Sequence, residues 1–176
     1  MKRLRKQFGA EFVETLVKSP TLVADLAEIR ANGVKIRRVN NLLSQTFAES
    51  DPLTKIIYIC KNCPLSYQLT ALAHEKYHVV TRVTPLADPN KISRGAFVKE
   101  CFTCELEATL HDLIVAAELQ AAGLTLDDHT LGLLTCYQAG GRRALRKKLS
   151  QSTTSTTGQT YRQYYGQVWD DAEEAL

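Results

Sequence analysis

The chain has 176 residues, 44% hydrophobic and 23% charged, with a formal charge of +3; these values suit one soluble domain that buries a core without disulfides. The basic excess is too small to imply nucleic-acid binding, and no segment approaches the roughly 20 apolar residues of a membrane span. The basic first residues lead into no apolar run of signal-peptide length, because Glu11, Glu14 and Lys18 interrupt it. The expectation is synthesis in the cytoplasm, with export by a route needing no cleaved signal left open.

Residues 9–18 and 20–31 read as two helices, the second opened by Ser19 as N-cap with Pro20 at the first helical position and stopped by Gly33. Residues 34–39 alternate apolar and basic and read as a half-exposed strand. Residues 45–49 and 53–60 suggest a hairpin around Ser50, Asp51 and Pro52, with Ile56, Ile57, Tyr58 and Ile59 as its best strand. Pro64 opens a helix to about Val80, and 81–95 reads as a long loop or a loop with a short edge strand. A long helix spans about Ala96 to Ala122 and ends at Gly123. Thr125 and Asp128 resemble a capped start for a helix over 126–139; Gly140 and Gly141 break it, and a basic helix runs on to about Leu149. Residues 150–158 are Ser/Thr-rich and read as a linker. Residues 159–176 form a docking helix with Tyr161, Tyr165, Val168 and Trp169 on one face. The order gives an α+β fold: a mostly helical domain over 1–149 with a small antiparallel or mixed sheet, then the linker and the last helix.

The chemistry-bearing motif is His74-Glu75-Lys76-Tyr77-His78. Residues four apart share a helix face, so His74 and His78 can hold one ion, and neutral imidazole is a good zinc ligand. Glu75 lies about 100° round the helix, where it can serve as general base to a zinc-activated water. The predicted helix buries Leu65, Leu69, Leu72 and Val79 and places both histidines on its other side, beside Tyr67, Thr70 and Ala71. The alternative is a pair of structural histidines.

A catalytic zinc needs a third protein ligand. On a helical wheel of the long helix, Phe102, Leu106, Leu110, Leu113 and Ala117 mark the buried face. Glu105 and Asp112 fall nearly opposite and are expected to face solvent. Glu107 and His111 lie at the edge of the core. Glu107 is therefore the expected third ligand, with His111 as an outer partner, an oxyanion donor or an alternative ligand.

With these residues the segment resembles the zincin metallopeptidases, in particular the glutamate-ligand branch, the gluzincins. The resemblance implies His74, His78 and Glu107 as zinc ligands and Glu75 as general base. It departs from the usual Glu-x-x-x-Asp in one slot, since His111 follows Glu107 by four and Asp112 comes one later. Leu72-Ala73-His74-Glu75 and Glu105-Leu106-Glu107-Ala108 are similar to the ImmA/IrrE-like peptidases, and the layout also resembles small metallopeptidase toxin domains of bacterial secretion systems. The resemblance covers about residues 53–120. It implies a peptide or protein substrate, and a cognate inhibitor protein if the chain is an effector. A non-catalytic binding or regulatory protein on the same fold is the rival reading.

Cys60 and Cys63, and Cys101 and Cys104, form two C-x-x-C units, with Cys136 alone. A second, structural zinc on the four, disulfides formed after export, and unconnected buried thiols all remain open. Tyr161, Tyr165 and Trp169 read as packing residues; Tyr164, off that face, and His129 are candidates to stabilise an oxyanion. The basic clusters Lys2, Arg3, Arg5, Lys6 and Arg142, Arg143, Arg146, Lys147, Lys148 read as solvated faces, with contact to phosphate or an anionic surface as the alternative.

Overall fold

The computed structural model describes residues 1–40, 48–154 and 157–176. Lys2–Phe8 (α1) and Ala10–Leu16 (α2) are short helices hinged at Gly9, whose φ of 96° suits glycine and strains any side chain. The sequence reading missed α1. It forms because Leu4 and Phe8, four apart, both reach the core while the cations between them stay in water. Pro20–Ala31 (α3) begins as expected: the Ser19 side chain accepts from the Leu22 amide, filling one of the helix's open N-terminal donors.

Lys35–Val39 (β1), Ala48–Asp51 (β2) and Ile56–Cys60 (β3) form a mixed sheet in the order β1-β3-β2. β1 runs parallel to β3 with Ile36 opposite Ile57, and β2 runs antiparallel with Ser50 opposite Ile57. The expected hairpin is present, though residues 45–47 of its first arm lie outside the described residues. Its turn falls at 52–55, two residues later than expected, because the Asp51 carboxylate accepts from the Leu53 and Thr54 amides and closes the bend.

Leu65–Lys76 (α4) lies on this sheet and passes into one π-helical turn, Tyr77–Thr81. Arg94–Ala121 (α5) is the 28-residue spine of the molecule. One side of it joins Val115 and Leu119 to the main core of α1–α4 and the sheet. The other side packs Phe102, Leu106 and Leu113 against Asp128–Gln151 (α6). The cap of α6 is Asp127 rather than Thr125: its carboxylate accepts from the Thr130 amide and hydroxyl and from Ser66 of α4. Tyr161–Glu174 (α7) starts with a full capping box between Thr160 and Gln163. It docks on α5 through Trp169, which packs with Phe97 and Cys101 and donates its indole N–H to the Ile92 carbonyl.

The basic arm is a helix of its own, as the sequence predicts, parted from the first segment of α6 at Gly141. α6 bends at Gly141, where φ 61° and ψ −159° are open only to glycine, and continues to Gln151. A methyl group there meets nothing within 4 Å, so substitution acts on the backbone alone. Gly141→Ala is expected to cost about 1–3 kcal/mol in denaturant unfolding, with the binding properties of the α4–α5 region unchanged.

Candidate metal centre

α4 sorts its residues by face as the spacing predicted. Leu69 and Leu72 are fully buried in the main core. Tyr67, Thr70, Ala71, His74, Glu75 and His78 line an open cleft of about 510 Å³ on the other side. His78 sits in the π-helical turn, a local widening often found where a helix presents a functional group.

Three donors converge on one point in this cleft. The His78 Nε2 lies 3.2 Å from the His74 Nε2. One oxygen of Glu105 is 3.5 Å from the His74 Nε2, and the other is 3.6 Å from the His78 Nε2. Ligands on a tetrahedral zinc at 2.0–2.1 Å stand roughly 3.3 Å apart, so this triangle fits one face of such a coordination sphere. The far side of each imidazole is fixed. The His74 Nδ1 is 3.0 Å from Asp112, and the His78 Nδ1 is 3.2 Å from the Thr84 hydroxyl. Outer partners of this kind set the tautomer that leaves each Nε2 free to coordinate. His74, His78 and Glu105 can therefore hold a metal ion, and they are the sole such group among the described residues.

The third donor is thus Glu105, not Glu107. The Glu107 carboxylate instead pairs with Arg142 of α6. Glu105 and Asp112, expected in solvent, are both turned inward, Glu105 to 8% exposure. The wheel assumed one buried face on a helix that has two. Cys101, Ala108, Val115 and Leu119 form a second apolar stripe, all fully buried, and Glu105 and Asp112 lie within it. That stripe of small and branched residues at i, i+7, i+14 and i+18 was the signal in the sequence. Asp112 also places a carboxylate behind the His74 ring.

His111 is directed elsewhere. Its Nε2 lies 2.9 Å from Asp25 of α3, whose other oxygen takes the Lys76 ammonium at 3.0 Å. It is not among the residues of the cleft, so its part is to join α5 to α3. The four cysteines do not gather around an ion among the described residues. Cys60 ends β3 and Cys63 lies just before α4, while Cys101 and Cys104 are buried within α5. Burial, helped by the neighbouring sulfur, pushes the Cys63 and Cys101 thiols up to about 12, which suits packing rather than reaction.

Tyr165 packs against Phe97 and Trp169, as its helix face predicts, and its hydroxyl also donates to Glu105 at 2.5 Å. Tyr164, the weaker candidate, does line the cleft with its ring centroid 5.1 Å from that of Tyr165. His129 lies on the rim. Glu75 faces the cleft and accepts from the Ser50 hydroxyl of β2 at 2.6 Å. Ser50 could not be assigned from sequence, because only the sheet register brings β2 alongside α4.

The charges agree with this geometry. Burial alone would raise Glu105, but His78, His74 and Tyr165 hold it down at about 2. Burial keeps His78 below its ordinary value and so neutral. Burial would also depress His74, yet Asp112 and Glu105 outweigh it and hold it well above 6.5. Burial pushes Asp112 up against the pull of His74; the proton belongs on His74, which faces two carboxylates. Comparison with known protein families, curated proteins and solved structures returns no match.

A raised folded-state pKa adds stability below the unfolded-chain value near 6.5, and that gain fades as the pH rises through the folded value. An ion must displace the proton on the His74 Nε2, so its binding weakens toward acid. Zinc titration at pH 7, run by calorimetry in buffers of differing ionisation heat, should release about one proton per ion. Release of none would contradict the charge state assigned to His74.

Proposed function

We propose that the chain is a zinc-dependent hydrolase of peptide bonds. The observation that carries this reading is the triangle of His74, His78 and Glu105 with Glu75 held next to it. Two imidazoles and one carboxylate are a donor set that zinc accepts, with a coordination position left over on the cleft side. A zinc ion held there supplies Lewis acidity to a substrate carbonyl and to water.

The chain's own residues supply the rest. Glu75 follows the first ligand directly, so the same backbone that fixes His74 fixes the base. The Ser50 hydroxyl holds one Glu75 oxygen and leaves the other for a proton. In the proposed reaction Glu75 takes that proton from the attacking water and returns it to the leaving nitrogen. Tyr164 and His129 stand on the cleft wall as candidate donors to the developing oxyanion. Tyr165 steadies the Glu105 carboxylate from behind and is a positioning residue.

The cleft favours an extended chain as substrate. β2 is an outer strand of the sheet among the described residues, and Glu49 and Ser50 of that strand line the cleft. A peptide laid along it can add backbone hydrogen bonds to the sheet. An effector acting on a partner protein, controlled by its own inhibitor, is the use that the zincin resemblance suggests.

Glu75→Gln keeps the shape and the hydrogen bond to Ser50 but removes the base. It should bind zinc as the wild type does and lose about 10²–10⁴-fold in turnover of a quenched peptide library. Wild-type protein that holds zinc and cleaves no member of the library would favour a binding module on this fold.

A further inference from the structure

One basic cluster has no place in this chemistry. α5, α6 and α7 meet around a hollow of about 420 Å³ whose lining includes Arg94, Lys99, Phe102, Arg146 and Arg162 and no carboxylate. We propose that this hollow binds a phosphoryl group, carried by a small phosphomonoester.

Each of the three helices contributes one cation without an acidic partner among the described residues: Lys99 from α5, Arg146 from α6 and Arg162 from α7. Arg94, by contrast, is held by both oxygens of Asp170 at 2.6 and 2.9 Å. The Arg146 and Arg162 guanidinium carbons sit 5.9 and 5.6 Å from the centroid of the same Phe102 ring. One ring quadrupole offsets only a small part of the repulsion between two like charges. An oxyanion with several acceptors offsets it directly, since two guanidinium forks and an ammonium match the tetrahedral oxygens of a phosphoryl group. The hollow is several times larger than a bare phosphate, which leaves room for an organic remainder against Phe102 and Val98.

The metal cleft is its electrostatic opposite. Its lining holds Glu49, Glu75, Glu105 and Asp112 and no Lys or Arg, so an anion is steered to the hollow rather than to the cleft. The two are neighbours: Phe102 floors the hollow, and its ring meets Tyr161 of the cleft wall at 6.4 Å. A ligand joining Arg162 to Lys99 and Arg146 would fasten α7, the helix that brings Tyr165 to Glu105.

The test uses the full chain at fixed ionic strength, with inorganic phosphate and phenyl phosphate as probes. Both should raise the melting temperature saturably, phenyl phosphate at the lower concentration, and slow amide exchange at the end of α6 and the start of α7. Lys99→Gln and Arg162→Gln change exposed side chains and should each weaken binding about tenfold, the loss of one charge-assisted contact. Arg38→Gln, in the basic hollow near α1, should bind as the wild type does. The site is overturned if melting follows ionic strength alone, if Lys99→Gln and Arg162→Gln both bind like the wild type, or if protection appears around Arg37 and Lys61. Binding of phosphate without phenyl phosphate would overturn the monoester assignment.

Discussion

A glutamate in the middle of a 28-residue helix, buried to 8% exposure, needs partners or it unfolds the helix around it. Glu105 has three: the imidazoles of His74 and His78 and the hydroxyl of Tyr165. They come from α4, from the π-helical turn that follows it, and from α7. The position of α5 against α4, and of α7 against both, therefore answers to one carboxylate. With an ion bound, the same carboxylate and imidazoles exchange hydrogen bonds for coordination, and the surrounding packing need not move.

A second polar network holds the other side of the α4–α5 pair. Lys76, 3% exposed, reaches Asp25 at 3.0 Å and Glu28 at 2.6 Å, and Asp25 also accepts from His111. Buried charges of this kind contribute little net stability but penalise any arrangement that separates them. α3 is anchored again at its start, where the Ser19 and Thr21 hydroxyls donate to Glu118 of α5. Polar ties from α3 and the imidazole–carboxylate triangle thus grip α4 from two sides. A metal site needs this rigidity, since displacements well under 1 Å change coordination.

The histidine pair on α4 was legible because its information is local. Spacing alone puts His74 and His78 on one face, and Leu69 and Leu72 on the other show which face is free. The α+β order, the cap at Ser19 and the break at Gly141 were legible for the same reason. The third member of the His74/His78/Glu105 group was not, because choosing between Glu105 and Glu107 requires knowing that α5 is covered on two sides. The choice of the leucine-rich face followed size, whereas the second buried stripe is made of the smaller Cys101, Ala108 and Val115. Ser50 and Tyr165 were out of reach for a different reason. They meet the site across 25 and 60 residues of chain respectively, through sheet register and the docking of α7. α1 was missed because its two apolar residues, Leu4 and Phe8, are outnumbered by cations.

The account stands on which glutamate completes the triangle. Zinc affinity, measured by competition with a chromophoric chelator, separates the two candidates within one helical turn of α5. Glu105→Gln should weaken zinc binding by more than about a hundredfold, beyond the 10–100-fold loss typical of an outer-shell partner, while Glu107→Gln, which breaks only the contact with Arg142, should leave it unchanged. An unchanged affinity in Glu105→Gln, or a loss confined to Glu107→Gln, would contradict the site.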